Sequence, residues 1–211
     1  MRRVFVNPES PHRDAVQEAA ARIRRGAVVA LPTDTLYALA ANPFARDAVA
    51  RVFEAKDRPA ERALPLIAHD AAQVASALGG LPAAGERLAS RFWPGPLTLL
   101  IAAPSTLAPD VTGGTGRVGV RVPDNVVARA VCRAVGYPVT ATSANVSGEP
   151  ATADPDEVER SMGARIDLLI DGGSTRGGPP STIVDVTEPV PRLVRAGAIS
   201  WDDIQACLVR V

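Results

Sequence analysis

Hydrophobic residues along the 211-residue chain form two kinds of pattern, one typical of helices and one typical of buried strands. The segment 12–25 places its apolar residues on one helical face and is followed by Gly26, a natural helix end. A continuous apolar run over 27–31 ends at Pro32 and predicts a buried strand. Helical spacing returns over 46–56, so the chain opens with helix, strand, loop and helix.

The same alternation continues along the chain and predicts an α/β or α+β fold, with a twisted mixed β-sheet flanked by helices. A chain of this length suits one domain over 1–211 with a closing helix at 201–209. Further strands are predicted at 4–6, 64–68, 97–102, 118–122, 139–142, 168–170 and 182–186, and further helices near 70–78, 83–92, 125–135 and 154–161.

Composition narrows the class of protein. The sequence is 46% hydrophobic and 22% charged, and it has no long apolar run, so a cytoplasmic location without a membrane partner is expected. Cys132 and Cys207 are too few for a disulfide framework or a zinc site, and we expect both to be reduced. A net charge of zero counts against RNA binding as the main role, although a local pocket could still collect cations for a small anion.

Several common motifs fail in their context. The run 114–119 fits a dinucleotide fingerprint by its letters, but a predicted strand follows it where a helix is needed to hold a pyrophosphate. The sequence contains neither a phosphate-binding loop ending in Gly-Lys-Ser or Gly-Lys-Thr nor a Gly-x-Ser-x-Gly elbow. Standard nucleophilic and zinc chemistries are therefore not expected.

Lys56 is the only lysine, against twenty-two arginines. A compact ammonium that is kept once among so many guanidinium groups suggests a special site, and a phosphate clamp shared with Arg58 is one hypothesis. Both residues also close a predicted helix, where cations favour the helix dipole. A solvated helix end is therefore the alternative.

Other polar residues follow predicted strands. Thr33 and Thr35 could bind a small polar ligand or cap a helix, and His69 alone is more typical of a structural histidine. Arg117 and Arg121 stand four residues apart, which puts both guanidinium groups on one face of a strand. Two like charges side by side need an anion between them or open water.

The densest polar run is 140–148, where a short strand leads into hydroxyl, amide and glycine residues that include Ser143 and Asn145. Such a run suits phosphate or sugar oxygens, and an elaborate turn is the alternative. Ser181 and Arg195 add another hydroxyl and another cation near strand ends.

These segments together resemble the YrdC family of threonylcarbamoyl-AMP synthases over about 15–197, in its single-domain form. Ala38 and Ala40 stand where the family usually has glycines, and the stretch 60–64 is one residue longer than usual. The resemblance implies a YrdC-like fold with an open concave ligand cavity. It is carried by ordered blocks at 31–37, 56–59 with 65–67, 92–98, 120–123, 142–148 and 181–185.

The activity implied by the resemblance is that of a nucleotidyltransferase. L-threonine, bicarbonate or CO2, and ATP with Mg²⁺ would give threonylcarbamoyl-AMP and pyrophosphate. Partner proteins would then use the product to make threonylcarbamoyladenosine in tRNA. No protein nucleophile is needed, so positioning and charge neutralisation would carry the rate.

The resemblance also implies roles for particular residues. Lys56 and Arg58 would stabilise charge, main-chain groups at Ala141 and Ala151 would assist, and the metal ligands are not assigned. Those expected at threonine are Thr35, His69, Arg121 and Ser181, and those expected at the nucleotide are Lys56, Arg58, Arg117, Ser143, Asn145 and Arg195.

Two other functions stay open. Some family members were first viewed as RNA-binding modules, and a positively charged concave face could accept double-stranded RNA by shape. A related domain of hydrogenase-maturation carbamoyltransferases uses carbamoyl phosphate, but those proteins add zinc fingers, and this chain has two cysteines.

Overall fold

The computed structural model describes residues 1–59 and 62–209, so two residues of the 60–64 stretch, for which the sequence raised a length difference, lie outside the described part. The elements in these ranges are eleven strands, seven α-helices and one short 3-10 helix (Pro109–Thr112). The helices are α1 (Arg13–Arg24), α2 (Arg46–Lys56), α3 (Ala71–Leu78), α4 (Ala83–Phe92), α5 (Val126–Val135), α6 (Pro155–Met162) and α7 (Trp201–Val209). The strands are β1 (Arg2–Phe5), β2 (Val29–Pro32), β3 (Tyr37–Ala40), β4 (Leu66–Ile67), β5 (Leu97–Ala102), β6 (Arg117–Arg121), β7 (Val139–Thr140), β8 (Thr142–Ser143), β9 (Leu168–Asp171), β10 (Thr182–Asp185) and β11 (Arg192–Arg195).

The strands form two mixed sheets flanked by helices, which confirms the predicted α/β class. One sheet has the order β1-β9-β2-β3-β8 and the other the order β11-β10-β5-β6-β4-β7. The mixed sheet expected from the sequence is divided into two, and the strand predicted at 139–142 divides with it at Ala141. Its first part pairs with β4 and its second part with β3.

We call residues 139–143 the shared strand, because its backbone hydrogen bonds alternate between the two sheets. The Thr140 N–H donates to Ala41 O at 3.1 Å, beside the five-stranded sheet. The next N–H, that of Ala141, donates to Pro65 O at 2.8 Å, beside the six-stranded sheet. Successive backbone groups of a strand point in opposite directions, so one short segment holds both sheets at a fixed separation.

Two clusters of buried side chains hold the layers together. In one, α1 and α5 pack on each other and on the five-stranded sheet, which buries Ala19, Ile23 and Val131. Cys132 is a free thiol in this cluster, and burial raises its pKa to about 12, as suits an unreactive core residue. The larger cluster joins α2 and α4 to both sheets.

The predicted helices agree with the observed ones to within one residue at each end. Strands β3 and β11 were not predicted. Among the described residues, no helix combines the length and the apolar character needed to cross a membrane.

Candidate active site

An open cavity of about 520 Å³ lies on the six-stranded sheet beside the shared strand. Side chains alternate between the faces of a strand, so residues two apart reach the same side. The cavity accordingly receives Thr98 and Leu100 from β5, Gly119 and Arg121 from β6, and Ser181 and Ile183 from the start of β10.

Gly119 keeps the floor of the cavity free. A Cβ atom at this position would lie 3.1 Å from Cγ2 of Thr98 and 3.3 Å from Cδ2 of Leu100. Both distances are tighter than ordinary packing contacts, so the absence of a side chain gives room to a ligand and to the neighbouring residues on β5.

Arginines from three segments line the cavity: Arg58, Arg121 and Arg195. Arg121 Nη1 donates to Asp34 Oδ1 at 2.7 Å, and both side chains are almost fully buried. Burial lowers the pKa of Arg121, while the Asp34 carboxylate opposes that shift. The guanidinium fork has five N–H donors, so Arg121 can hold Asp34 and still present donors to a ligand carboxylate.

Arg195 is anchored beside the start of β10. Its Nη2 donates to the Ser181 backbone oxygen at 2.7 Å and to Ser181 Oγ at 3.1 Å. The chain can approach this closely because residue 197 is glycine, where a Cβ atom would lie 2.3 Å from Pro180 O. Burial lowers the pKa of Arg195.

A left-handed residue at the end of α2 separates Lys56 from Arg58. Asp57 has φ 48°, and the Arg58 N–H donates back to Phe53 O at 3.0 Å. The turn directs Lys56 into the protein interior and brings Arg58 to the cavity, where its Nη2 donates to Ala63 O at 2.9 Å.

Lys56 is 2% exposed and binds the loop 143–149, which follows the shared strand. Its Nζ donates to Ser143 O at 2.5 Å, to Asn145 O at 2.6 Å and to Asn145 Oδ1 at 3.2 Å. Burial, and secondly the charge of Arg58, lowers the Lys56 pKa to about 8. Its three N–H donors thus meet three protein oxygens, so Lys56 orders the loop in this structure.

Asn145 completes the order of this loop. Its Oδ1 accepts from Ser143 Oγ at 2.5 Å, and its Nδ2 donates to Val146 O at 2.8 Å and Glu149 O at 2.7 Å. Asn145 is buried, whereas Ser143 lines the cavity. The polar run therefore faces a ligand mainly through Ser143 and the neighbouring backbone.

A tight turn follows β2 and presents Thr35. Thr33 Oγ1 donates to Leu36 O at 2.7 Å and accepts from the Thr35 N–H at 3.2 Å. Both threonines line the cavity, but the Thr33 hydroxyl is used by the turn itself.

The glycine loop (residues 172–180) packs against Thr35. Thr175 Oγ1 and the Gly177 N–H both donate to Thr35 O, at 2.7 Å and 2.9 Å. Pro180, the last residue of the loop, lines the cavity. The loop thus forms part of the wall next to Thr35.

Tyr37 holds the start of the glycine loop from below. Its hydroxyl donates to Gly173 O at 2.8 Å and accepts from the Gly172 N–H at 3.2 Å. Asp171 adds a second attachment, with Oδ1 accepting from the Gly173 N–H at 2.8 Å and Oδ2 accepting from Arg3 at 2.6 Å. Burial raises the pKa of Tyr37, so its hydroxyl stays protonated and able to donate.

Comparison with known proteins identifies the family. Residues 21–197 match the Sua5_yciO_yrdC family, which is described as "Telomere recombination". The chain belongs to the Sua5/YciO/YrdC family. The resemblance read from the ordered sequence blocks is thereby confirmed.

Relatives in this family carry the name threonylcarbamoyl-AMP synthase. The Bacillus subtilis protein of that name is 40% identical over 196 residues, which cover 92% of this chain and 56% of the relative. The Pyrococcus abyssi protein of the same name is 41% identical over 192 residues, covering 90% of this chain and 56% of the relative. The chain thus spans about half the length of these curated relatives.

Solved structures of the Sua5/YciO/YrdC family share the fold. P. abyssi Sua5 complexed with L-threonine is 36% identical, with a TM-score of 0.93, covering 100% of this chain and 62% of that chain. E. coli YciO is 26% identical, with a TM-score of 0.85, covering 95% of this chain and 98% of that chain. The two mixed sheets with flanking helices are therefore the architecture of the family.

The cavity brings together most of the residues singled out in the sequence. Main-chain candidates Ala141 and Ala151 line it as well. The side chains at the cavity that the sequence had proposed for threonine or nucleotide are Thr35, Arg58, Arg121, Ser143, Ser181 and Arg195.

Four candidates do not line this cavity. Lys56 and Asn145 are buried and bond the loop 143–149 instead, and the other two are Arg117 and His69. Arg117 Nη1 pairs with Asp185 Oδ2 at 2.6 Å, and Arg117 does not line the cavity. His69 lines a second cavity, of about 420 Å³, with its Nδ1 3.2 Å from Arg129 O and its Nε2 3.6 Å from Asp70 Oδ2. Their expected ligand contacts stay predictions without support from the first cavity.

Sequence reasoning missed Asp34, Tyr37, Thr98 and Gly119. For Thr98 and Gly119 a signal existed, because each stands two residues from another cavity residue on its own predicted strand. The contacts of Asp34 and Tyr37 join segments far apart in the sequence and left no local signal.

Proposed function

We propose that this chain is an L-threonylcarbamoyladenylate synthase, which makes threonylcarbamoyl-AMP and pyrophosphate from L-threonine, bicarbonate or CO2, and ATP. One observation carries the proposal: Arg58, Arg121 and Arg195 converge on one open cavity, in a chain 40% identical to a threonylcarbamoyl-AMP synthase. The L-threonine complex of P. abyssi Sua5, a protein of the same fold, supports threonine as the amino acid.

The charges of the reactants fit these arginines. ATP brings several negative charges, and threonine brings a carboxylate and then a carbamate. Arg121, buried and oriented by Asp34, suits the carboxylate, because a partly desolvated guanidinium fork forms strong paired hydrogen bonds. Arg58 and Arg195 come from separate segments and suit the phosphates. Ser143 also lines the cavity, but its hydroxyl proton is donated to Asn145 Oδ1.

The reaction needs no covalent bond to the protein. The threonine amine adds to the carbon of CO2 and loses a proton, which gives the carbamate. A carbamate oxygen then attacks the α-phosphorus of ATP, and the bond from this phosphorus to the bridging oxygen of pyrophosphate breaks. The cavity contributes by holding the two reactants together and by neutralising charge that builds up on the phosphate oxygens.

Magnesium would enter with the nucleotide. The described residues contain no group of three or more His, Cys, Asp or Glu side chains able to hold a metal ion. The Asp34 carboxylate is already paired with Arg121. ATP phosphates therefore suit Mg²⁺ better than protein carboxylates do, and the ion would neutralise part of their charge.

The product would pass to proteins that modify tRNA, in the cytoplasm. RNA binding by the chain itself is a secondary possibility, and carbamoyl-phosphate chemistry is the other alternative. Carbamoyl-phosphate chemistry consumes a different reactant, so one turnover assay can compare it with the proposed reaction, whereas RNA binding is measured separately.

The test is an assay of the purified chain with ATP, Mg²⁺, bicarbonate and L-threonine. We expect pyrophosphate release that depends on threonine, with labelled carbonate entering an adenylate. Release independent of threonine, or turnover of carbamoyl phosphate in place of ATP and bicarbonate, would contradict the proposal.

A matched pair of variants checks the site. Arg58→Gln removes a cavity cation whose partners in the protein are neutral carbonyl oxygens, so its charge is available to the phosphates. We expect the KM for ATP to rise by about tenfold or more, the change that corresponds to the loss of one charge-assisted hydrogen bond. Arg160→Gln removes an exposed arginine on α6 and should leave the KM for ATP unchanged. Equal KM values for ATP in both variants would show that Arg58 does not bind the nucleotide.

A further inference from the structure

Thr98 belongs to the cavity but had no role in the sequence reasoning. It lies on β5 and is 4% exposed, and its Oγ1 is 2.8 Å from Oγ of Ser181 at the start of β10. The parallel pairing of β5 with β10 sets Thr98 opposite Ile183 and so brings it next to Ser181. We call Thr98 and Ser181 the hydroxyl pair.

Counting protons shows that the hydroxyl pair has a donor to spare. Arg195 Nη2 already donates to Ser181 Oγ at 3.1 Å. If Ser181 donates to Thr98, the Thr98 proton is free, and if Thr98 donates to Ser181, the Ser181 proton is free. Within the described residues neither hydroxyl has another acceptor, so in both cases the pair can offer one O–H to the cavity.

Apart from Arg195 on the Ser181 side, apolar groups lie beside the hydroxyl pair. Leu100 lies two residues along β5 and Ile183 lies across from Thr98 on β10, and both line the cavity. Gly119, opposite Leu100, leaves space above them. An O–H donor that is surrounded by methyl groups suits a ligand with an oxygen next to a methyl group. The threonine side chain has this arrangement.

We propose that Thr98 is a specificity-determining residue for L-threonine. The hydroxyl pair donates a hydrogen bond to the β-hydroxyl oxygen of the substrate, and Leu100 and Ile183 contact its methyl group. Arg195 holds Ser181 in place and polarises the pair. This inference rests on the proposed function and deepens it, because it adds Thr98 as the partner through which Ser181 discriminates.

The experiment compares ligands that differ by one group. The dissociation constants of L-threonine, of L-2-aminobutyrate, which lacks the hydroxyl, and of L-serine, which lacks the methyl, are measured by calorimetry, with ATP measured separately. The proteins are the wild type, Thr98→Val, Thr98→Ser and Ser181→Ala, with Thr112→Val as the control. The Thr112 hydroxyl donates to Pro109 O outside the cavity, so Thr112→Val makes the same chemical change away from the ligand.

We expect the wild type to prefer threonine over 2-aminobutyrate, and Thr98→Val to reduce that preference by about tenfold to a hundredfold. Valine has the shape of threonine, so the affinities for 2-aminobutyrate and ATP should not change. Thr98→Ser keeps the hydroxyl and should keep the preference. Combining Thr98→Val with Ser181→Ala should cost little more than either alone, because the two hydroxyls act as a unit.

The outcomes separate this inference from the proposed function. A wild type without threonine-dependent pyrophosphate release rejects both. An active wild type whose preference survives in a folded Thr98→Val protein rejects only the role of Thr98. If Thr98→Val fails to fold, Thr98→Ser decides, because loss of the preference in that variant would also reject the role.

Discussion

Lys56 is a buried charge whose N–H donors all find acceptors. An ammonium group removed from water is destabilising unless its N–H donors find acceptors. Here the three donors converge on two carbonyl oxygens and one side-chain amide oxygen of the loop 143–149. A planar guanidinium cannot point three donors at acceptors grouped around one atom, which explains a single lysine among twenty-two arginines.

Replacing Lys56 by methionine should therefore destabilise the protein. The substitution keeps most of the apolar stem but leaves the Ser143 and Asn145 oxygens without their donor. We expect the free energy of unfolding to fall by about 2–4 kcal/mol and ATP affinity to fall with it. Urea unfolding and calorimetry measure the two effects, with Arg160→Met as the exposed control. Unchanged values for Lys56→Met would show that the ammonium does not order the loop.

The same residue predicts a pH dependence of stability. The pKa of Lys56 is lowered by burial to about 8, against 10.5 for a free lysine. Between these values the unfolded chain binds more protons than the folded protein, so the free energy of unfolding should rise with pH across this window. Below the folded pKa both states are protonated and the contribution is flat. Urea titrations from pH 7 to pH 10 test this, and Lys56→Met should lack the rise.

Among the elements, the glycine loop depends on the Tyr37 hydroxyl below it. Tyr37→Phe keeps the packing of the ring but removes hydrogen bonds to Gly173 O and from the Gly172 N–H. We expect a loss of about 1–2 kcal/mol in the free energy of unfolding. Amide hydrogen exchange should speed up within 172–180, and the KM for threonine should rise because Thr35 loses its support.

Tyr137→Phe is the matched control, because Tyr137 is the other tyrosine and packs edge-on against Phe44 outside the cavity. Exchange within 172–180 should be unchanged in this variant. Equal exchange rates in both variants would show that the Tyr37 hydroxyl does not hold the loop.

The elements were predictable where periodicity was strong. The helix at 46–56 and the strand at 97–102 were predicted with their observed bounds, because their apolar spacing is regular and their ends are marked. Strand β3 was missed because Tyr-Ala-Leu-Ala is buried at every position and half alanine, a residue with weak strand preference. Strand β11 was missed because Arg-Leu-Val-Arg places two apolar residues between two charged ones and so lacks the alternation that marks a strand.

The site was predictable where its residues lie at the ends of strands that the sequence predicts. Residues next to the ends of predicted strands, such as Thr35, Ser143 and Ser181, do line the cavity. The direction of Lys56 could not be predicted, since it depends on the left-handed turn at Asp57 and on a loop almost ninety residues away. The Arg121 pair with Asp34 likewise joins distant segments.

At the scale of the whole molecule, the charge balance predicts weak RNA binding. The chain has 23 basic and 23 acidic residues, so it lacks the net positive charge that drives counterion release from nucleic acid. We expect dissociation constants for double-stranded RNA no tighter than about 10⁻⁶ M at physiological salt, the range of non-specific binding. Filter binding across a salt series measures this, and tight binding that weakens steeply with salt would favour the RNA-binding alternative.

The shared strand limits how the chain can change in length. Its residues Val139 and Thr140 pair with one sheet, and Thr142 and Ser143 pair with the other. Because side chains alternate, inserting or deleting one residue here would turn the side chains of one half to the wrong face. A change of length at Ala141 would therefore have to satisfy two separate registers at once, and we expect it to cost the protein one sheet or the other.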